Sequence, residues 1–292
     1  MPHNTDVKIR LQGHEKFALR EGWLNKGLIA TVSNPTVFQK DGTDILGVGT
    51  NMVKSIRFWM NAFGLISENQ RTGASLTELG RLIYDYDENF EDIFTLWILH
   101  FSIIKNRKEA TSWHIFFNKC EVNSFEKKDI ANYMHKELVK YVGNSNFSDN
   151  SLNSDIDVIL NMYCKDKKVD DPEDKNMSPF ARLGLLKKEG NEYFKKQPDQ
   201  RNFNEWIVLY VLSDLLRNDD SISIDAALMS EDGLVRMTQM NSIVINEYLD
   251  RLDAMGYIRV NRTAGLDVIY KNLDNNIDTK EVIEKYYLSR EN

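Results

Sequence analysis

The chain has 292 residues, 42% of them hydrophobic and 28% charged, an ordinary balance for a globular protein and enough for two or three domains. Its longest apolar run, 93–104, is broken by Thr95, His100 and Ser102 and is too short for a bilayer, and residues 1–10 are polar, so neither a membrane partner nor a signal segment is expected. Two cysteines, Cys120 and Cys164, give neither a disulfide framework nor a zinc cluster, and a reducing, cytoplasmic location is expected.

The net charge of −7 is unevenly spread, with +2 over residues 1–80, −1 over 81–147 and −8 over 148–292. Attraction to nucleic-acid phosphate must therefore come from a local patch in the first third. The acidic C-terminal half suits a protein partner better.

Residues 13–28 mix His14, Glu15, Lys16, Arg20 and Glu21 with Phe17, Trp23 and Leu24 ahead of a helix starting near Gly22. A functional loop and an anchoring segment with solvated charges both fit this pattern. Asn34-Pro35 predicts a short helix reaching Gln39, followed by a turn at Asp41-Gly42.

Residues 47–65 open on a glycine turn and continue as an amphipathic helix, with Met52, Ile56, Trp59, Met60 and Phe63 on one face. Thr50, Asn51, Lys54, Ser55 and Arg57 fall on the other side near the first turns. This suits either the reading helix of a helix-turn-helix or a solvated surface helix. Two short segments around 69–73 predict a hairpin, which after such a helix is the wing of a winged helix. Arg71 at its tip would then meet phosphate or the minor groove, with Lys26 assisting. Thr77 caps the helix that follows.

Residues 88–142 are helical by pattern, including 125–141, and His100 and His114 read as core histidines rather than metal ligands. The run 143–154 is rich in turn formers and marks a boundary. Asp155-Ile156-Asp157 opens the next helix, where acids favour the helix dipole and residues two apart diverge. A charged loop at 166–175 precedes a short apolar element at 179–186 and a hairpin ending at Phe194. Helices at 203–216 and 238–255, the latter with Ile245, Tyr248, Leu249 and Leu252 inward, lead to a second hairpin at 256–270. The exposed face of that last helix carries Asn246, Glu247, Asp250 and Asp253, which suits protein contact rather than DNA.

The expected architecture is mainly α with small β-hairpins. It divides into an N-terminal winged helix-turn-helix in 1–86, a helical middle region in 87–147, and a C-terminal helical domain in 148–292 ending in a second winged-helix-like unit.

No phosphate-binding lysine loop, dinucleotide glycine fingerprint or serine elbow is present, so no nucleotide or organic cofactor is expected. Nuclease signatures occur only as the fragments Glu126-Lys127-Lys128 and Glu173-Asp174-Lys175. The only compact acid–base group lies around His14, Glu15 and Arg20, where His14 could serve as general base and Arg20 could stabilise a phosphoryl transition state. Hydrolysis of this kind would call on a divalent cation such as Mg²⁺, whose ligands the sequence leaves unassigned.

The segments Gly13-His14-Glu15-Lys16-Phe17-Ala18-Leu19-Arg20-Glu21-Gly22-Trp23-Leu24-Asn25-Lys26-Gly27 and Leu46-Gly47-Val48-Gly49-Thr50-Asn51-Met52-Val53-Lys54-Ser55-Ile56-Arg57-Phe58-Trp59 resemble the first two motifs of a prokaryotic family of unknown function. Ala110-Thr111-Ser112-Trp113-His114-Ile115-Phe116-Phe117-Asn118, Asp155-Ile156-Asp157-Val158 and Ser178-Pro179-Phe180-Ala181-Arg182-Leu183-Gly184-Leu185 are similar to later ones. The 165–177 loop and the C-terminal third depart from the pattern. The resemblance implies a place in DNA phosphorothioation and phage defence, beside sulfur-transfer enzymes, with double-stranded DNA as substrate and strand nicking as the activity. A non-catalytic adaptor or specificity subunit is the alternative, and a transcriptional regulator a third reading, disfavoured because no ligand-site signature appears.

Overall fold

Helices form where the 3.6-residue apolar period runs on, and short antiparallel hairpins punctuate them. The structure is a computed structural model and describes residues 8–143, 146–164, 178–263, 265–275 and 278–290. The charged loop expected at 166–175 lies outside them.

The first unit is helical up to a hairpin: α1 (Trp23–Ser33), α2 (Gly42–Leu46), α3 (Thr50–Ala62), then β1 (Ile66–Asn69) paired antiparallel with β2 (Gly73–Leu76). Residues 35–39 form a turn, not the predicted helix, because the Asn34 carboxamide accepts from the N–H and hydroxyl of Thr36 and closes the chain locally. The helix comes later, at α2. α4 (Glu78–Tyr86) is capped by Thr77, whose hydroxyl accepts from Gly80 N–H and donates to Gly64 O.

α5 (Ile93–Lys105) is buried almost all round and forms the central rod. α6 (Thr111–His114) runs into a π-helical turn, Ile115–Lys119. β3 (Ser124–Glu126) then precedes α7 (Lys127–Val142), so the predicted 125–141 helix starts two residues late, behind a strand. α8 (Asp149–Tyr163) begins six residues before Asp155, since Ser148 caps it by accepting from Ser151 N–H. Ser, Asp and Asn are turn formers and also the preferred N-caps, so the 143–154 composition marks a helix start as much as a break.

After a 3₁₀ turn at Pro179–Leu183 come β4 (Leu186–Glu189) and β5 (Glu192–Lys195). β3 pairs with β5 (Phe125 opposite Tyr193), and β5 with β4, so the sheet order is β3-β5-β4 and strands on both sides of 143–154 share one sheet.

The C-terminal part repeats this plan. α9 (Glu205–Leu215), β6 (Ser221–Ser223), α10 (Ile224–Met229), α11 (Leu234–Thr238) and α12 (Ser242–Ala254) precede the hairpin β7 (Ile258–Thr263) and β8 (Leu266–Lys271). Its sheet order is β6-β8-β7. α13 (Thr279–Leu288), closed by an Asp278–Glu281 capping box, returns to pack on α9 and α4. The result is mainly helical with three small antiparallel sheets among the described residues. No helix among them is long and apolar enough to cross a membrane.

His100, fully buried on α5, ties three helices together: Nδ1 meets the Tyr163 hydroxyl of α8 at 2.8 Å and Nε2 meets Met237 O of α11 at 3.0 Å. It is a core histidine, as its apolar surroundings in the sequence suggest.

Candidate nucleic-acid interface

α3 is built to show one face. Val53, Ile56, Phe58, Trp59 and Met60 are buried, whereas Thr50, Asn51, Lys54 and Arg57 are exposed. Ser55 departs from its expected place among the polar residues and is buried, at 0% exposure. Gly49 precedes the helix with no side-chain cap, so the first-turn N–H groups have no side-chain acceptor and can take a phosphate oxygen.

The hairpin after α3 is held from below. Ala74 N–H donates to Pro35 O at 2.7 Å, and Gly73, at φ 85°, sits so close to Pro35 O that a Cβ would fall 2.2 Å from it. The Asn69 carboxamide closes the hairpin tip by accepting from Arg71 N–H at 2.8 Å, leaving the Arg71 side chain exposed. Lys26 on α1 donates from Nζ to Leu46 O at 3.3 Å, at the end of α2.

One contact changes the electrostatics of this face. Arg57 makes a two-pronged pair with Glu68 on β1, Nε to Oε1 at 2.7 Å and Nη2 to Oε2 at 2.9 Å. Those hydrogen bonds raise the Arg57 pKa from its ordinary value, against the smaller opposing effect of burial. The pair links α3 to its hairpin and neutralises one of the cations on this face. Lys54, 3.5 Å from Asn51 Oδ1, and Arg71 carry no ion pair among the described residues.

The acid–base group divides. His14 is buried at 0% exposure between aromatic rings, stacked on Trp59 with centroids 6.0 Å apart and edge-on to Phe58 and Trp113. Lys16 N–H donates to its Nδ1 at 3.1 Å, so the ring proton sits on Nε2, 2.8 Å from Asp155 Oδ1. Asp155 also accepts from Gln12 N–H at 2.7 Å and, on its other oxygen, from the Ser112 hydroxyl at 2.5 Å. Glu15 is only half-buried and adopts φ 50°, and Arg20 lies over Phe17 and Trp23 at 5.6 and 5.3 Å. No hydrogen bond or ion pair among the described residues joins Glu15 or Arg20 to His14.

Sequence reasoning passed over Gln12, Ser112 and Glu68, and it read Asp155 as a helix-end acid. Asp155 and Asp157 do point apart: Asp157 pairs at the surface with Lys127 at 2.5 Å, while Asp155 is 1% exposed. A carboxylate flanked by Ile156 and Val158 on an apolar stripe was the available signal for burial. Among the described residues, no group of three or more His, Cys, Asp or Glu side chains is placed to hold a metal ion.

These features define a mainly helical protein that presents a polar, partly cationic helix-and-hairpin face near its N-terminus. The chain belongs to the family described as protein of unknown function (DUF4007), whose pattern matches residues 11–287. The protein is SspB-like in structure. A magnesium ion-bound SspB crystal structure superposes with a TM-score of 0.84 at 25% identity, covering 95% of this chain and 87% of that one. A second SspB crystal structure gives 0.82 at 23% identity, over 98% and 96%, a likeness of fold alone. No curated protein matches the chain.

Proposed function

We propose that this protein is a DNA-binding, DNA-nicking component of a phosphorothioate DNA-modification and phage-defence system. The observation that carries DNA binding is the single exposed face formed by Thr50, Asn51, Lys54 and Arg57 beside the hairpin tip at Arg71. We read residues 1–86 as a winged helix, with α3 in the major groove, the β1–β2 hairpin as the wing, and Lys26 supporting from α1. The C-terminal unit, with its first strand pairing the third of three, is a second winged-helix-like unit. Its exposed Glu247, Asp250 and Asp253 suit a sulfur-transfer partner rather than phosphate.

Nicking comes from the family resemblance, with magnesium as the cation because an SspB structure of similar fold is magnesium ion-bound. The test is conversion of supercoiled to open-circular plasmid with Mg²⁺, alone and with the partner sulfur-transfer enzymes. Persistent failure to relax the plasmid under both conditions removes the enzymatic reading.

A specific observation favours a second reading, that of a non-catalytic adaptor. Both ring nitrogens of His14 are engaged and the ring is closed to solvent, so a general base there would first have to leave Asp155. Substituting His14→Gln and Glu15→Gln separates the two. The adaptor retains DNA binding and complex assembly and has no nicking to lose; the nickase loses relaxation while still binding.

A further inference from the structure

A cavity of about 410 Å³ lies where the middle sheet meets the C-terminal unit, away from α3 and its hairpin. It is assembled from separate segments: the end of the π-helical turn, the end of β5, Met229 at the end of α10, and the stretch from Val235 to Gln239. Its size falls within the range that holds small organic ligands.

The wall is cationic. Lys195, Lys196 and Arg236 face it against one carboxylate, Glu121. Glu121 pairs with Arg236 at 2.9 Å and acts on Lys195 only from beyond contact, so the wall keeps an excess of positive charge. Lys195 donates from Nζ to Phe116 O at 2.9 Å and Cys120 O at 2.5 Å, serving the carbonyls at the end of the π-turn. That uses two of its three N–H groups, and the ammonium lies 4.9 Å from the Phe116 ring centroid, but no carboxylate among the described residues lies within ion-pair distance. Burial, with a smaller push from Arg236, lowers its pKa to about 8, and the more distant Glu121 only partly opposes this.

Gln239 supplies the second observation. It closes α11 at φ 55°, an uncommon conformation for a residue other than glycine, and both carboxamide atoms are buried with no partner. A buried carboxamide offering one donor and one acceptor side by side matches the edge of a nucleobase. Phe117, Met229 (49% exposed) and Val235 add apolar wall for a flat ring. The neighbouring Cys120 thiol is pushed up to about 12 by burial and stays neutral, so it adds no negative charge.

We infer that this cavity binds a nucleotide: its phosphate, with a charge near −2, at Lys195 and Lys196, and its base edge at Gln239. This stands apart from the helix-and-hairpin reading of DNA binding. The same chemistry is offered by a free nucleoside monophosphate and by the 5′-phosphorylated end of a DNA strand.

The test is calorimetric titration of the full chain at pH 7 with 2′-deoxyadenosine 5′-monophosphate, deoxyadenosine, inorganic phosphate and a 5′-phosphorylated single-stranded oligonucleotide. The monophosphate should bind at least tenfold more tightly than deoxyadenosine or phosphate, and a free nucleotide is then the source. Binding by the oligonucleotide alone, lost in Lys195→Met, also supports the site and assigns a strand end to it. Lys195→Met should weaken binding of the monophosphate at least tenfold and Gln239→Ala several-fold. Should Lys195→Met fail to fold, the wild type still reports: affinity should fall as pH rises from 7 to 9.5 and the ammonium loses its proton. Equal affinity for inorganic phosphate overturns the nucleotide assignment. Undetectable binding of all four probes, or binding unchanged by both substitutions, overturns the site.

Discussion

Asp155 accepts a hydrogen bond from Nε2 of His14 at 2.8 Å, across 141 positions of sequence, in a site closed to solvent. The same carboxylate holds Gln12 N–H and the Ser112 hydroxyl, so one side chain on α8 ties the N-terminal turn to α6. Asp155→Ala strands three donors at once. Leaving a buried donor unsatisfied costs about 1–3 kcal/mol, so a loss of at least about 2 kcal/mol is expected in chemical denaturation. Asp155→Asn keeps an acceptor oxygen and should cost less. A loss below about 1 kcal/mol for Asp155→Ala would show that the site is not the clasp described here.

The Arg57–Glu68 pair makes a prediction of opposite sign for binding. Glu68→Gln releases the Arg57 guanidinium while leaving α3 and its hairpin in place. Exposed pairs contribute about 0–1 kcal/mol, so stability should barely change. Duplex DNA affinity should rise several-fold at low salt, and its salt dependence should steepen by roughly one released counterion. Lys54→Ala with Arg57→Ala should weaken and flatten the same curve. Fluorescence anisotropy from about 50 to 200 mM salt checks both, and unchanged binding in the double variant would remove α3 from the interface.

Acid stability turns on His100. Burial lowers its pKa to about 3, against the smaller opposing effect of its bond to Met237 O. The imidazole therefore stays neutral in the fold while the unfolded chain takes up a proton below about 6.5. Above that pH the group contributes no pH dependence. As pH falls through 6.5 towards 3 the unfolded state gains the advantage, by about 2 kcal/mol at pH 5. His114 is shifted in the same direction, again chiefly by burial, and adds to the slope. His100→Gln should be less stable at pH 7 yet show a shallower decline between pH 6.5 and 4 in urea denaturation. An unchanged slope would assign the acid sensitivity elsewhere.

Local grammar carried much of this fold. Spacing located α3, α9 and α12, the inward set Ile245, Tyr248, Leu249 and Leu252 is buried, and Thr77 does cap α4. Glycine turns marked both outer hairpins. What local pattern could not show is pairing at long range. β3 is three residues long and earns its place only by meeting β5 some seventy residues later, so no alternation was visible. His14 looked reactive because its sequence neighbours are charged, whereas its spatial neighbours are Phe58, Trp59 and Trp113. Glu68 sat in a strand with nothing in the sequence to aim it at Arg57. Chemistry read from adjacent residues fails where folding replaces those neighbours.

Gly80 sets intrinsic preference against packing. In a helix, alanine is favoured over glycine by about 1 kcal/mol, so Gly80→Ala should stabilise α4 on propensity alone. A Cβ there would lie 2.0 Å from Leu65 O and 3.0 Å from Leu65 C, backbone atoms that cannot rotate away. Overpacking against fixed structure costs about 1–3 kcal/mol and here should exceed the gain. The strain falls where Thr77 N–H donates to Leu65 O at 3.0 Å, at the root of the hairpin. Net destabilisation of about 1–2 kcal/mol is expected in denaturant titration, with weaker DNA binding as β1 and β2 lose their seat beside α3. Gly49→Ala is the control: it has φ −66° and nothing within 4 Å of a built Cβ, and should shift stability by less than about 1 kcal/mol. If the two variants behave alike, close packing at Leu65 is not what requires glycine at position 80.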